Sequence, residues 1–227
     1  MKVYHKINSL FKRDMSLPKN NIIIGEYSCP EFEYLENNLW LWDEKMDGTN
    51  TKVHFDGYNL TFGGKTDNAQ IPVKLLKHLQ NKFLPQIDVF REIFKDVQGE
   101  EIENYATGQV EFTKSVYLFG EGYGGKIQGG GKYRPDESFI LFDVKIGDWW
   151  LHREDVKDIA SKLNIDVVPE LGQGTLLELP GRVATGFKSA FGDFTAEGIV
   201  ARPAVPLHTR SGRRIITKLK YKDFKNL

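Results

Sequence analysis

The chain has 227 residues, and its 31 basic and 31 acidic side chains give a formal net charge of zero, which argues against a generally cationic nucleic-acid coat. One cysteine, Cys29, excludes an intramolecular disulfide and offers no metal or redox framework, as expected for a reducing compartment. The start, Met1-Lys2-Val3-Tyr4-His5-Lys6, lacks an apolar targeting core, and no apolar run approaches the roughly 20 residues needed to cross a bilayer. The expectation is a soluble, cytoplasmic protein with no membrane partner, in the host cytoplasm if the source is viral.

In chain order, runs rich in β-branched and aromatic residues between turn signals predict strands over 21–27, 39–44, 51–55 and 59–62. Apolar residues at three- and four-residue steps predict helices from Pro72 to Phe83 and from Ile87 to Val97. Strands are expected again from Ser115 to Glu121 and from Ser138 to Ile146, then a helix from Arg153 to Leu163. A weaker helical pattern from Leu176 to Phe191 is interrupted by Pro180-Gly181, and strands close the chain over 198–201 and 214–220. This alternation predicts an α+β fold with mostly antiparallel sheets. No repeat, low-complexity segment or Pro/Ser-rich linker marks a boundary, so residues 1–227 are read as a single domain.

Charge is unevenly distributed. From residue 208 onward, Arg210, Arg213, Arg214, Lys218, Lys220, Lys222 and Lys225 face only Asp223, a local balance of +6 that fits either a polyanionic partner or a solvated basic tail.

Chemistry concentrates in five segments. Glu44-Lys45-Met46-Asp47-Gly48-Thr49-Asn50 places a lysine two residues before an Asp-Gly turn, entered through Trp40-Leu41-Trp42. Asp47 and Gly48 are read as shaping a tight, left-handed turn. Phe119-Gly120-Glu121-Gly122-Tyr123-Gly124-Gly125 formally contains G-x-G-x-x-G. The Gly129-Gly130-Gly131 run that follows cannot open a pyrophosphate-binding helix, and neither Lys126 nor Lys132 precedes Ser or Thr as a phosphate loop requires. Phe139-Ile140-Leu141-Phe142-Asp143-Val144 offers aromatic rings on which a base could stack, although core packing explains them equally well. Glu197-Gly198-Ile199-Val200 sets a carboxylate before a short apolar strand, and Mg²⁺ needs only one or two carboxylates beside phosphate oxygens. Lys218-Leu219-Lys220 puts two ammonium groups on one strand face.

In this order the five segments resemble motifs I, III, IIIa, IV and V of the covalent nucleotidyltransferases, the superfamily of ATP-dependent nucleic-acid ligases and mRNA-capping enzymes. Glu44 through Asn50, Gly63 through Pro72 and Lys218 through Phe224 look most like the phage double-strand-type and RNA-editing RNA ligases. The resemblance covers about residues 40–224 and implies a ligase adenylation domain, with antiparallel sheets flanked by helices around a nucleotide cleft. It further implies ATP as substrate, Mg²⁺ or Mn²⁺ as cofactor, and joining of 3′-hydroxyl and 5′-phosphate ends through a lysyl-AMP intermediate and an AMP-capped 5′ end.

By the same resemblance Lys45 is the nucleophile and Glu197 the metal carboxylate. Glu44, Lys65, Glu121, Phe142, Lys218 and Lys220 are nucleotide-binding, with Glu44 acting through its neighbouring backbone. Asn50, Arg210, Arg213, Arg214 and Lys222 would meet nucleic acid, RNA favoured, in a monomer. Lys65 stands where such ligases usually carry arginine, so the planar fork is lost. Little follows motif V, and a C-terminal OB domain is expected to be missing. The alternatives are a minimal DNA or mixed RNA/DNA nick ligase, a capping guanylyltransferase, or a non-catalytic nucleotide- or RNA-binding module. Residues 1–38 and 81–110 have no assigned chemistry.

Overall fold

The computed structural model describes residues 4–16, 21–66, 69–104 and 109–225. The fold is α+β, and the chain divides into two compact units: a central unit of Met1–Tyr4 with Asp47–Val167, and a terminal unit of His5–Met46 with Val168–Leu227.

Among the described residues of the central unit, the main sheet runs Trp149–Trp150, Ser138–Ile146, Val116–Tyr123, Thr49–Phe55, Leu60–Gly64, with Asp166–Val167 joining Ser138–Ile146 in parallel. The remaining pairs are antiparallel. Strand alternation divides Thr49–Phe55 cleanly. Thr51, Val53 and Phe55 point to the buried side, where Leu75, Leu79 and Phe83 of helix Val73–Phe83 and Phe90 and Phe94 of helix Ile87–Phe94 complete an aromatic-rich core. Helix Arg153–Lys162 adds Val156, Ile159 and Ala160 to the same core. That packing leaves Asn50, Lys52 and His54 on the opposite face, cross-strand from Glu121, Phe119 and Tyr117.

The terminal unit carries a five-stranded sheet among its described residues, ordered Asn8–Ser9, Thr217–Lys220, Gly198–Pro203, Trp40–Glu44, Glu170–Gly174. Only the Asn8–Ser9 edge pairs in parallel, with Thr217–Lys220. Trp40, Trp42, Ile199, Ala201 and Leu219 share one face and pack with Leu176, Leu179 and Val183 from the segment around helix Leu179–Ala184. A hairpin of Phe11–Arg13 and Ile22–Tyr27 and the short helix Pro30–Tyr34 contribute Phe11, Ile22 and Phe32 to this second core.

Three differences from the expected elements have local causes. Pro180 does not interrupt a long helix; it stands in the first turn of Leu179–Ala184, where its missing N–H costs nothing. The last strand begins at Thr217 rather than Arg214, because His208 bridges Arg214 and the Ile215 N–H donates to Leu207 O, closing a loop first. Glu170–Gly174 lacks β-branched residues and is a strand through its pairing with Trp40–Asp43 alone.

Candidate active site

The terminal unit holds the charged part of the expected site. Because Trp40–Glu44 and Thr217–Lys220 both run antiparallel to Gly198–Pro203, their C-terminal ends lie beside its N-terminal end. Lys45 is therefore brought to Glu197, 152 residues away in sequence, and to the strand end that carries Lys220. The Lys45 backbone N–H donates to Gly198 O at 2.9 Å, which fixes the lysine to that strand end. Lys45 Nζ then donates to Glu197 Oε2 at 2.7 Å and to Met46 O at 3.2 Å, while Lys220 Nζ reaches Glu197 Oε1 at 2.7 Å. One carboxylate thus bridges two ammonium groups.

Burial pushes the Glu197 carboxyl up, but the Lys45 and Lys220 ammonium groups outweigh it and hold its pKa below the ordinary glutamate value. Glu197 is ionised throughout the physiological range. Gly198 makes the convergence possible: a Cβ there would collide with Leu219 O and lie 2.8 Å from Lys220 Cα, so any side chain would force the Lys220 strand away. Lys218 shares the strand face of Lys220, two residues or about 6.7 Å further along.

Glu44 is placed differently from its neighbour. Its carboxylate is buried, accepting from Ser189 Oγ at 2.5 Å and from the Ala190 N–H at 2.9 Å, and its own N–H donates to Pro169 O. The side chain is spent on holding the Ser189–Ala190 loop. Asp43, also buried, is paired with Arg202.

The central unit presents the remaining set on the sheet face opposite its core. Asn50 and Glu121 are direct cross-strand partners, and the buried Asn50 Oδ1 has no hydrogen-bond partner among the described residues. Phe142 is the extra residue of a register shift between Leu141 and Asp143, a bulge that re-aims its half-buried ring away from the alternation of the strand. Tyr4 supports it from one side, its ring 5.1 Å from that of Phe142 at 68° and its hydroxyl donating to Asp143 Oδ2 at 2.5 Å. Lys65 is exposed in the bend after Leu60–Gly64; residues 67 and 68 of the same stretch lie outside the described residues.

Gly48 corrects the sequence reading. It is not among the glycines of positive φ. A Cβ there would collide with Gly122 O and stand 2.8 Å from Glu121 Cγ, so the residue is needed for close approach to the glutamate strand, not for a left-handed turn. The Asp47 N–H donates to Tyr133 Oη at 3.2 Å. Beyond Tyr123 the chain turns through Gly124 and Gly125, both of positive φ, into the one-turn 3₁₀ segment Gly130–Lys132, in keeping with rejection of a dinucleotide loop.

Arg210 and Arg213 are exposed on the turn that Thr209 closes by accepting from the Arg213 N–H, and Lys222 is exposed in the 3₁₀ turn Tyr221–Asp223. Arg214 is half-buried. Sequence reasoning missed Tyr4, Ser189 and Tyr133, whose importance comes from partners 139, 145 and 86 residues away and leaves no local trace. No cluster of three or more metal-ligating side chains occurs among the described residues. Both Glu197 oxygens accept from ammonium groups at 2.7 Å, so a cation such as Mg²⁺, which takes one carboxylate beside water and phosphate oxygens, would have to displace one of them.

The RNA ligase family model matches residues 38–220. The chain belongs to the RNA ligase family. Among solved structures it is similar to a Naegleria gruberi RNA ligase variant with ATP and Mn, at 14% identity over 99% of this chain and 62% of that one, TM-score 0.63. It is also similar to the Naegleria gruberi RNA ligase with PPi, at 16% identity over 87% and 53% of the two chains, TM-score 0.61. A third likeness is to a variant of that ligase with AMP and Mn, at 15% identity over 87% and 54%, TM-score 0.60. The chain thus spans between about half and three-fifths of the length of these structures. No curated protein matches it. No helix among the described residues is long and apolar enough to cross a membrane.

Proposed function

We propose that residues 1–227 act as one nucleotidyltransferase domain of an ATP-dependent RNA ligase that seals 3′-hydroxyl to 5′-phosphate ends. The observation that carries this reading is the Glu197 bridge between Lys45 and Lys220 in a chain of the RNA ligase family. Binding alone would need neither a partly buried amine nor a carboxylate held ionised beside it.

Attack on the α-phosphorus of ATP needs the Nζ lone pair of Lys45. A lysine of ordinary pKa near 10.4 is only about 0.04% neutral at pH 7, a deficit of about 4–5 kcal/mol. The resting pair with Glu197 must therefore be loosened as the nucleotide arrives, with the lysine proton passing to solvent. Lys218 and Lys220 neutralise the phosphates during displacement. The Nζ–P bond forms as the bond to pyrophosphate breaks. Mg²⁺ or Mn²⁺, when held by Glu197, would supply further charge neutralisation at the phosphate oxygens.

For the nucleoside we assign Glu121 to the ribose, the Phe142 ring to the adenine face, Lys65 to sugar or phosphate, and the backbone beside Glu44 to the adenine edge. Asn50, Arg210, Arg213, Arg214 and Lys222 are assigned to the nucleic acid. The Naegleria gruberi relatives solved with ATP, AMP, PPi and Mn support the choice of nucleotide and metal.

Intact-mass analysis after incubation with ATP and Mg²⁺ tests the reading. The protein should gain one AMP, and Lys45→Ala should gain none. An adduct that persists in the variant would overturn the assignment of the nucleophile. A matched panel of nicked RNA, DNA and hybrid duplexes should show fastest sealing where RNA supplies the 3′-hydroxyl; sealing restricted to DNA would replace RNA ligase by the nick-ligase alternative.

A further inference from the structure

The N-terminal stretch builds one wall of a basic groove lying wholly within the terminal unit. The groove has a volume of about 730 Å³ and is lined by Lys6, Lys12, Arg13, Lys218, Lys220 and Lys222 against one carboxylate, Asp223. Asp223 is buried and already engaged, accepting from Arg13 Nη2 at 2.9 Å and from the Lys220 N–H at 3.3 Å. Ser9, in the same lining, has a buried Oγ without a hydrogen-bond partner among the described residues, a donor aimed at no group of the protein. The wall is held in register by the parallel pairing of Ser9 with Lys218 and by the Leu10 N–H donating to Lys218 O at 3.0 Å.

The basic lining does not stop there. A second hollow of about 220 Å³ shares Lys6 and Asn8 with the first and adds Arg213 and Arg214 against one carboxylate, Glu31. A pyrophosphate tail is compact and would be satisfied at Lys218 and Lys220. A row of cations running on through Lys6 to two arginines fits the repeated phosphates of a strand. No exposed aromatic ring lines the first groove, so the contacts it offers carry charge and no base readout.

We propose that this groove is the track for the phosphate backbone of a bound RNA strand, with Lys6 and Lys12 as binding residues. The proposal rests on the ligase reading for the identity of the strand. Lys6 and Lys12 are both exposed, and Lys12 has only a solvent-exposed pair with Glu26 at 3.4 Å, so substituting them leaves the cores intact.

The test combines a variant with footprinting of the unaltered protein. In the Lys6→Gln, Lys12→Gln double variant, affinity for a 5′-phosphorylated RNA oligonucleotide should fall on the order of tenfold at low salt, and the slope of log affinity against log salt should shrink by about 1.4. AMP adduct formation from ATP should be unchanged. In the wild type, lysine acylation followed by mass mapping should show Lys6 and Lys12 protected by the RNA and not by ATP or pyrophosphate. Unchanged affinity and slope would overturn the proposal, as would protection by pyrophosphate alone. Absence of any AMP adduct in the wild type would instead defeat the ligase reading, while the protection pattern would still decide the groove.

Discussion

The two units hold the side chains of the candidate site by opposite means. In the terminal unit, Lys45, Glu197 and Lys220 are held by mutual charge, each partly buried and paired at 2.7 Å. In the central unit, Phe142 is aimed by a backbone bulge and an aromatic neighbour, and Asn50 Oδ1 has no hydrogen-bond partner among the described residues. The first arrangement can be rearranged by another charge; the second is fixed by shape. Under the proposed function, charge would sit where phosphates are exchanged, and rigid packing where a base and sugar are received.

The largest break in this comparison should come from Glu197→Gln. Removing the bridge leaves two ammonium groups facing a neutral amide, and AMP adduct formation should slow on the order of 10²–10³-fold, read by radiolabel transfer from ATP. The same variant sharpens the comparison through pH. Because the folded Glu197 pKa lies below its ordinary value, the stabilisation it provides is present above about pH 4.3 and is lost as pH falls through the lower folded value. The melting-temperature gap between wild type and Glu197→Gln should therefore be steady from neutral pH to about pH 5 and close in more acidic buffer. A gap that widens on acidification would contradict the charge-bridge account.

Next in size is Phe142→Ala. Loss of a stacking ring is worth about 1–3 kcal/mol, so ATP affinity by calorimetry should weaken roughly 5- to 150-fold. An unaltered affinity would mean the ring serves packing only. Tyr4→Phe should act through position. It removes the donor to Asp143, costing about 1–2 kcal/mol, or roughly 2–8 °C in melting temperature, with a smaller loss of ATP affinity than Phe142→Ala. The smallest effect is expected from Arg210→Gln, on an exposed turn: a salt slope for RNA binding reduced by about 0.7, with adduct formation unaffected.

Much of this was legible in the residues. The strand Ser138–Ile146 and the helices Val73–Phe83, Ile87–Phe94 and Arg153–Lys162 fall where periodicity puts them, give or take a few residues, because their apolar faces are regular and their ends are marked. The order of the five segments was sufficient to suggest which side chains to compare. What could not be read was how each is held. Nothing local to Glu44 says that its carboxylate is consumed by Ser189 and Ala190, and nothing local to Gly48 distinguishes a turn residue from one needed for close approach to Gly122. The N-terminal strand Asn8–Ser9 is two residues long, too short for a pattern, and exists through its pairing with Thr217–Lys220. Such features belong to tertiary partners rather than to windows of sequence.

The strand order of the terminal unit has a consequence for biosynthesis. Its middle strand, Gly198–Pro203, and its neighbour Thr217–Lys220 are the last strands of this sheet to be translated, yet Trp40–Glu44 and Asn8–Ser9 pair directly with them. The sheet that carries Lys45 cannot close until translation has passed residue 220, whereas all strands of the main sheet in the central unit have emerged by residue 167. The central sheet can therefore close earlier in synthesis than the terminal one, and Lys45 can meet both Glu197 and Lys220 only after residue 220 has been made.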